Sequence, residues 1–201
     1  MTFLLRAAAP LALVLAVGGC SLGSLLGGGG KTPPTLLTLT PEATAPAAIA
    51  RAANAGEAVT INVPIIAKEL RTTRVPAQVS PTDVQYIKNA AWVDTPDRLF
   101  KDLLAETVRR TTRRVVLDSR QSGLDPGLIV SGQLHRFGFD AAAQAVVVRY
   151  DGALSTQGGT RVETRRFEAS VPSNGDAATI GPALNRAANQ VAREAAAWIG
   201  G

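Results

Sequence analysis

Two periodicities alternate along this chain. Leu99, Phe100, Leu103, Leu104 and Val108 recur every three or four residues, and near the C-terminus Ile180, Leu184, Ala188, Val191, Ala195 and Trp198 do the same. That spacing gathers each set on one side of a 3.6-residue helix. Elsewhere the apolar positions alternate with polar ones. Leu36 to Thr40, Val59 to Val63, Asp83 to Ile87, Leu128 to Phe139, Ala145 to Ser155 and Thr160 to Val171 read as strands with one buried face, and Val115 to Leu117 as a short strand-like run.

Local punctuation sharpens these elements. Thr95 and Pro96 stand at the expected N-cap and first helical position, with Asp97 in the first turn where a negative charge suits the helix dipole. This helix runs to about Thr111. Pro64 ends the strand over 59–63, while Pro76 and Pro81 leave the segment 65–82 without a clear assignment. Turns are expected at 122–127 and at Gln157-Gly158-Gly159, so the last three strands form an antiparallel meander bent near Gly132 or Gly138. Pro182 fits an early turn of the final helix, and Asn189 falls off its apolar stripe, beside Arg186, Arg193 and Glu194. The residues predict an α/β fold: a mixed, largely antiparallel sheet packed by two amphipathic helices in a single domain.

The first 34 residues are different. Arg6 precedes an apolar run from Ala7 to Val17, then Gly18, Gly19 and the only cysteine, Cys20. These are the three parts of a secretory leader. The run is too short to span a bilayer, which takes about 20 residues. A half-disulfide to another chain is the other reading of an odd cysteine in an exported protein. Val17-Gly18-Gly19-Cys20 is similar to a bacterial lipobox, in which the cysteine becomes the lipidated N-terminus. This divides the chain into a signal peptide (1–19), a lipidated flexible tether (20–34) and a folded domain (35–201). The glycine run Gly27 to Gly30 and Pro33-Pro34 suit the tether, whose stretched reach is roughly 40 Å at about 3.3 Å per residue. Ser21 after the cysteine is not Asp, which by analogy with lipoprotein sorting directs the protein to the outer membrane, facing the periplasm.

Charge adds one feature. The net formal charge of +5 becomes +4 when Arg6 leaves with the leader, and export argues against a nucleic-acid partner for that charge. Its densest part is Arg109, Arg110, Arg113 and Arg114, at the end of the first helix. These arginines are either a solvated helix end or a docking patch for an acidic partner or lipid phosphates. Trp92 is expected to pack the helix start against the sheet. His135 is the only histidine and sits within a strand; no cluster has metal-ligand spacing, and no nucleophile elbow or phosphate loop occurs. No catalytic residue, metal or cofactor is expected beyond the covalent diacylglycerol and fatty acyl groups on Cys20.

The order of these parts resembles the ABC-type transport auxiliary lipoprotein family, which includes the PqiC-like lipoproteins. The resemblance rests on Cys20, Leu36-Leu-Thr-Leu-Thr-Pro41, Val59-Thr-Ile-Asn-Val-Pro64, Tyr86-Ile87, and Ala91-Trp92-Val93-Asp94 ahead of Leu99-Phe-Lys-Asp-Leu-Leu104. Thr35-Leu36 stands where the family usually has Tyr, and the phrase after Pro64 departs from the family pattern. The resemblance implies a non-enzymatic subunit of an MCE-type lipid transport system. Its partners would be an MCE-domain protein and an ABC permease and ATPase complex, with a homo-oligomer as a further option. A periplasm-facing lipid-binding carrier and an outer-membrane structural or assembly lipoprotein are the alternative classes.

Overall fold

The computed structural model describes residues 35–46, 51–54, 56–118, 127–156 and 161–201. The leader, the tether and Cys20 lie outside these residues, as do most of the predicted turn at 122–127 and the one at 157–159.

The expected meander is present: β7 (Leu128–Asp140), β8 (Ala145–Thr156) and β9 (Val162–Pro172) run antiparallel. Strict alternation on β8 puts Val146, Val148 and Tyr150 on one face. They sit opposite Phe139, Phe137 and Leu134 of β7 and opposite Val171, Ala169 and Phe167 of β9. These cross-strand rows form the sheet side of the core. The strand β7 is irregular at His135, where the register shifts between Leu134 and Arg136, rather than at Gly132 or Gly138. A β-bulge supplies the bend that the glycines suggested.

The other edge of β7 is shared by three short strands in succession. β2 (Val59–Ile61) lies beside Leu128 to Val130, β3 (Ile65–Ile66) beside Gln133 and Leu134, and the end of β4 (Arg74–Gln78) beside Phe139 and Asp140. All three pairings are parallel, so the stretch from Val59 to Gln78 tracks β7 with interruptions at Pro64 and the 3₁₀ turn Lys68–Leu70. β3 and β4 carry no alternation long enough to read, and Pro76 speaks against a strand. Pro76 is accommodated because the β4 register slips between Arg74 and Pro76, where a missing N–H is tolerated. β5 (Val84–Trp92) returns antiparallel to β4 and runs past Ile87 to Trp92, with Asn89 in the left-handed region at φ 59°. β1 (Leu36–Leu37) adds to the end of β5, and β6 (Val116–Leu117) to β2, both parallel. The nine strands among the described residues thus form one mixed sheet.

Helices α1 (Pro96–Thr111) and α2 (Ala177–Gly200) cover one face of that sheet. Thr95 occupies the N-cap of α1, and its carbonyl accepts from the Arg98 and Leu99 amides, but its side chain caps nothing. Instead Asp94 Oδ1 accepts from the Thr95 amide at 2.7 Å. Phe100, Leu104 and Val108 are wholly buried, each worth about 1.5–3 kcal/mol of apolar transfer. Phe100 meets Tyr150 at a centroid distance of 5.1 Å, and Trp198 meets Phe167 at 5.6 Å. Trp92 is buried against Phe137 at 5.4 Å, packing the approach to α1 onto the sheet as expected.

The buried side of α2 is wider than its predicted stripe. Ala183, Ala187, Ala192, Ala196 and Ile199 are buried as well, and so is Asn189. α2 packs on the sheet and on α1 at once, which buries the alanines and Ile199, and the N-terminal segment covers Asn189. Only Leu36 and Leu37 of the predicted first strand join the sheet; residues 38–46 then leave it as a strap tied to α2 and α1. Gly181 permits that approach, since a Cβ there would lie 2.7 Å from Leu37 Cδ2.

Candidate functional site

The strap is held by side chains reading its backbone. Asn185 Oδ1 accepts from the Thr40 amide at 2.8 Å, and Asn189 Oδ1 from the Glu42 amide at 2.8 Å. Asn189 Nδ2 donates to the Thr40 carbonyl at 2.9 Å. Residues four apart lie on one side of a helix, so these two amides act as a short artificial strand edge. Arg193 pairs with Glu42 at 3.2 Å, and from α1 Arg110 Nη1 donates to the Ala43 carbonyl at 2.8 Å. Farther along, Arg51 donates to the Arg109, Thr112 and Arg114 carbonyls, satisfying the C-terminal end of α1.

The four arginines of the predicted docking patch therefore do different things. Arg110 holds the strap and pairs with Glu106 at 2.7 Å. Arg109 pairs with the same Glu106 at 3.5 Å. Arg114 donates to the Glu57 carbonyl at 3.3 Å. Arg113 is exposed and makes no hydrogen bond or ion pair among the described residues.

The face of the sheet away from the helices carries a charged ladder. Cross-strand partners Asp151 and Arg166 form two hydrogen bonds of 2.7 Å, and Arg149 and Glu168 form two at 2.6 and 3.1 Å. His135 follows the inward-facing Leu134 and lies on this face, with Nε2 3.0 Å from Asp151 Oδ2. The Arg166 guanidinium holds the Asp151 carboxyl below its ordinary value against a smaller opposing effect of burial, and Arg149 does the same for Glu168. His135 thus meets the ladder through Asp151. Beside it, an open groove of about 900 Å³ crosses from the β2–β3 connection to β9.

Tyr150 supports this region from beneath. Gly132 and Gly152 stand opposite each other in the register, and the Tyr150 ring lies against both. Its hydroxyl donates to the Ser131 carbonyl at 3.0 Å, and burial pushes the phenol above its ordinary value. Among the described residues no group of three or more His, Cys, Asp or Glu could hold a metal ion, and no helix is long and apolar enough to cross a membrane.

Comparisons with known proteins agree with this architecture. Protein XCC0632 from Xanthomonas campestris superposes with a TM-score of 0.70 at 19% identity, covering 83% of this chain and 94% of that one. An uncharacterized protein superposes with a TM-score of 0.56 at 15% identity, covering 73% and 92% respectively. At these identities the likeness shows the fold. No curated protein matches the chain. The model of the ABC-type transport auxiliary lipoprotein component matches residues 37–196, from β1 to the last turns of α2, and the chain belongs to that family.

Proposed function

We propose that this protein is a non-enzymatic lipoprotein subunit of an ABC transporter that works with an MCE-domain protein, moving phospholipid or another hydrophobic cargo across the cell envelope. Cys20 carries the diacylglycerol and acyl groups that hold it at the outer membrane, and residues 20–34 let the domain stand off and dock. The family match across the whole folded domain carries this reading. The cationic end of α1 supports it: Arg113 is exposed and has no ion-pair partner among the described residues, with Arg109, Arg110 and Arg114 near it in sequence, suited to an acidic partner or lipid phosphates. Tethering at a membrane raises the local concentration of the domain, so docking needs little intrinsic affinity.

The test is crosslinking in cells followed by purification of the tagged lipoprotein. An MCE-domain protein and its ABC partners are expected to co-purify. Their absence after crosslinking overturns the reading.

A further inference from the structure

The last strand of the meander is open on its far side. β9 pairs only with β8 among the described residues, and that pairing runs from Val162 to Pro172 without a register shift. A long, regular edge is a template for another strand unless lysine, proline or a bulge blunts it. β9 carries no lysine, and its one proline, Pro172, stands at the end. The hydrogen-bond phase shows which residues face outward. The Thr156 amide donates to the Arg161 carbonyl and the Ser173 amide to the Gln144 carbonyl, both at 3.1 Å, at the two ends of the β8–β9 ladder. Bonding alternates along an antiparallel ladder, so the odd-numbered residues of β9 turn their backbone groups to β8. Thr164, Arg166, Glu168 and Ser170 turn theirs to the open side, and all four are exposed.

Phe167 is the middle residue of β9. A second β9 laid antiparallel about Phe167 sets position 164 opposite 170 and 166 opposite 168. The two strands then match over their whole length and in their outward bonding phase. Arg166 of one copy meets Glu168 of the other. Joined to the ladder on β8, each row on the outer face reads Arg149, Glu168, Arg166, Asp151 across four strands, alternating in sign. Arg166 bonds Asp151 through Nε and Nη2, which leaves Nη1 without a partner among the described residues. Moving the centre to Arg165, Arg166 or Glu168 sets like charges face to face, which is destabilising.

We propose that β9 is a self-complementary edge that joins two copies of this chain into one continuous sheet, related by a two-fold axis at Phe167. The proposal is independent of the transporter reading.

Thr164→Cys combined with Ser170→Cys in the full chain, oxidised in native membranes, tests it. Along one strand these positions are roughly 20 Å apart, so no bridge forms within a chain. In the proposed pair they face each other at about 5.5 Å between Cα atoms, within disulfide reach. A disulfide-linked dimer is expected from the double variant and from neither single one. The detergent-solubilised full chain should sediment as a dimer. Thr164→Pro removes an outward amide without touching β8 and should weaken that dimer by about 10-fold or more. Added salt should weaken it several-fold. A monomer in both assays overturns the proposal. So does equal bridging from a single variant or from Val162→Cys with Ser170→Cys, which shifts the register by two residues, and so does a dimer indifferent to Thr164→Pro and to salt. A photoreactive residue at Thr164 that captures another protein and never a second copy also overturns it.

Discussion

Asn189 and Thr40, 149 residues apart in sequence, are joined by a hydrogen bond of 2.9 Å from the Asn189 amide to the Thr40 carbonyl. Asn189 is 1% exposed, and its oxygen simultaneously accepts from Glu42. One buried amide thus satisfies two backbone groups of the strap. The strap's attachment is polar and directional, and Leu37 and Leu39 pack against the core beside it.

Replacing Asn189 with Ala leaves the Thr40 carbonyl and the Glu42 amide without this partner. A loss of about 1–3 kcal/mol is expected by chemical denaturation. Amide exchange should quicken at Thr40 and Glu42, while β7, β8 and β9 stay protected. Uniform loss of protection across the sheet would show that the strap is not a separate local unit.

Gly132 should tolerate substitution less than Gly152. A Cβ at Gly132 would lie 2.3 Å from the Asp151 carbonyl oxygen and 2.7 Å from the Tyr150 ring, whereas at Gly152 the nearest atom is a Tyr150 ring carbon at 3.0 Å. Backbone cannot yield as a ring edge can. Gly132→Ala is expected to cost more than about 2 kcal/mol, and Gly152→Ala less than Gly132→Ala, by thermal or denaturant unfolding. The reverse order would contradict the packing described.

Tyr150→Phe removes only the hydroxyl that donates to the Ser131 carbonyl. The expected cost is about 1 kcal/mol, with the ring contacts to Phe100 and Phe167 retained. Near-ultraviolet circular dichroism should stay close to that of the parent protein. A larger change would assign the hydroxyl a wider structural role.

The ion-pair ladder predicts acid sensitivity. Hydrogen bonding to Arg166 lowers Asp151 from its ordinary 3.8, and bonding to Arg149 lowers Glu168 from 4.5. A carboxyl depressed in the folded state binds fewer protons there than when unfolded. Its contribution is therefore complete above the ordinary value and is lost as pH falls through the folded one. Stability should decline below about pH 4.5, and Asp151→Asn should flatten part of that slope. Because both pairs are partly exposed, added salt should weaken the effect. A slope unchanged by Asp151→Asn would mean that other groups dominate.

Cys20→Ala separates address from fold. The variant is expected to lose membrane retention in fractionation while the domain keeps its parent unfolding midpoint. Full transport activity from a soluble pool would overturn anchoring at Cys20 as part of the mechanism.

The long elements were legible because each buries one continuous face. The alternation in β7, β8 and β9 and the three- and four-residue spacing in α1 and α2 report that burial directly. β3 and β4 were not legible: two and five residues long, one of them containing Pro76, they are strands only because β7 lies alongside to pair with them. The candidate site divides the same way. The arginine cluster shows as charge density in the sequence, yet Arg110 and Arg114 spend donors on the carbonyls of Ala43 and Glu57, contacts 67 and 57 residues away. His135 and Asp151 meet only through the register of β7 with β8.

Sequence alone therefore determined the two amphipathic helices, the meander and the family, because these depend on local periodicity or on contiguous motifs. Tertiary structure decided the rest. Asn189, polar and off the apolar stripe, is buried because the strap crosses α2 and supplies partners for its amide. Val63, Ile65 and Arg166 line one groove because the crossover from β2 to β3 and the edge strand β9 lie on either side of β7 and β8. Their juxtaposition depends on strand order, which no local pattern of residues encodes.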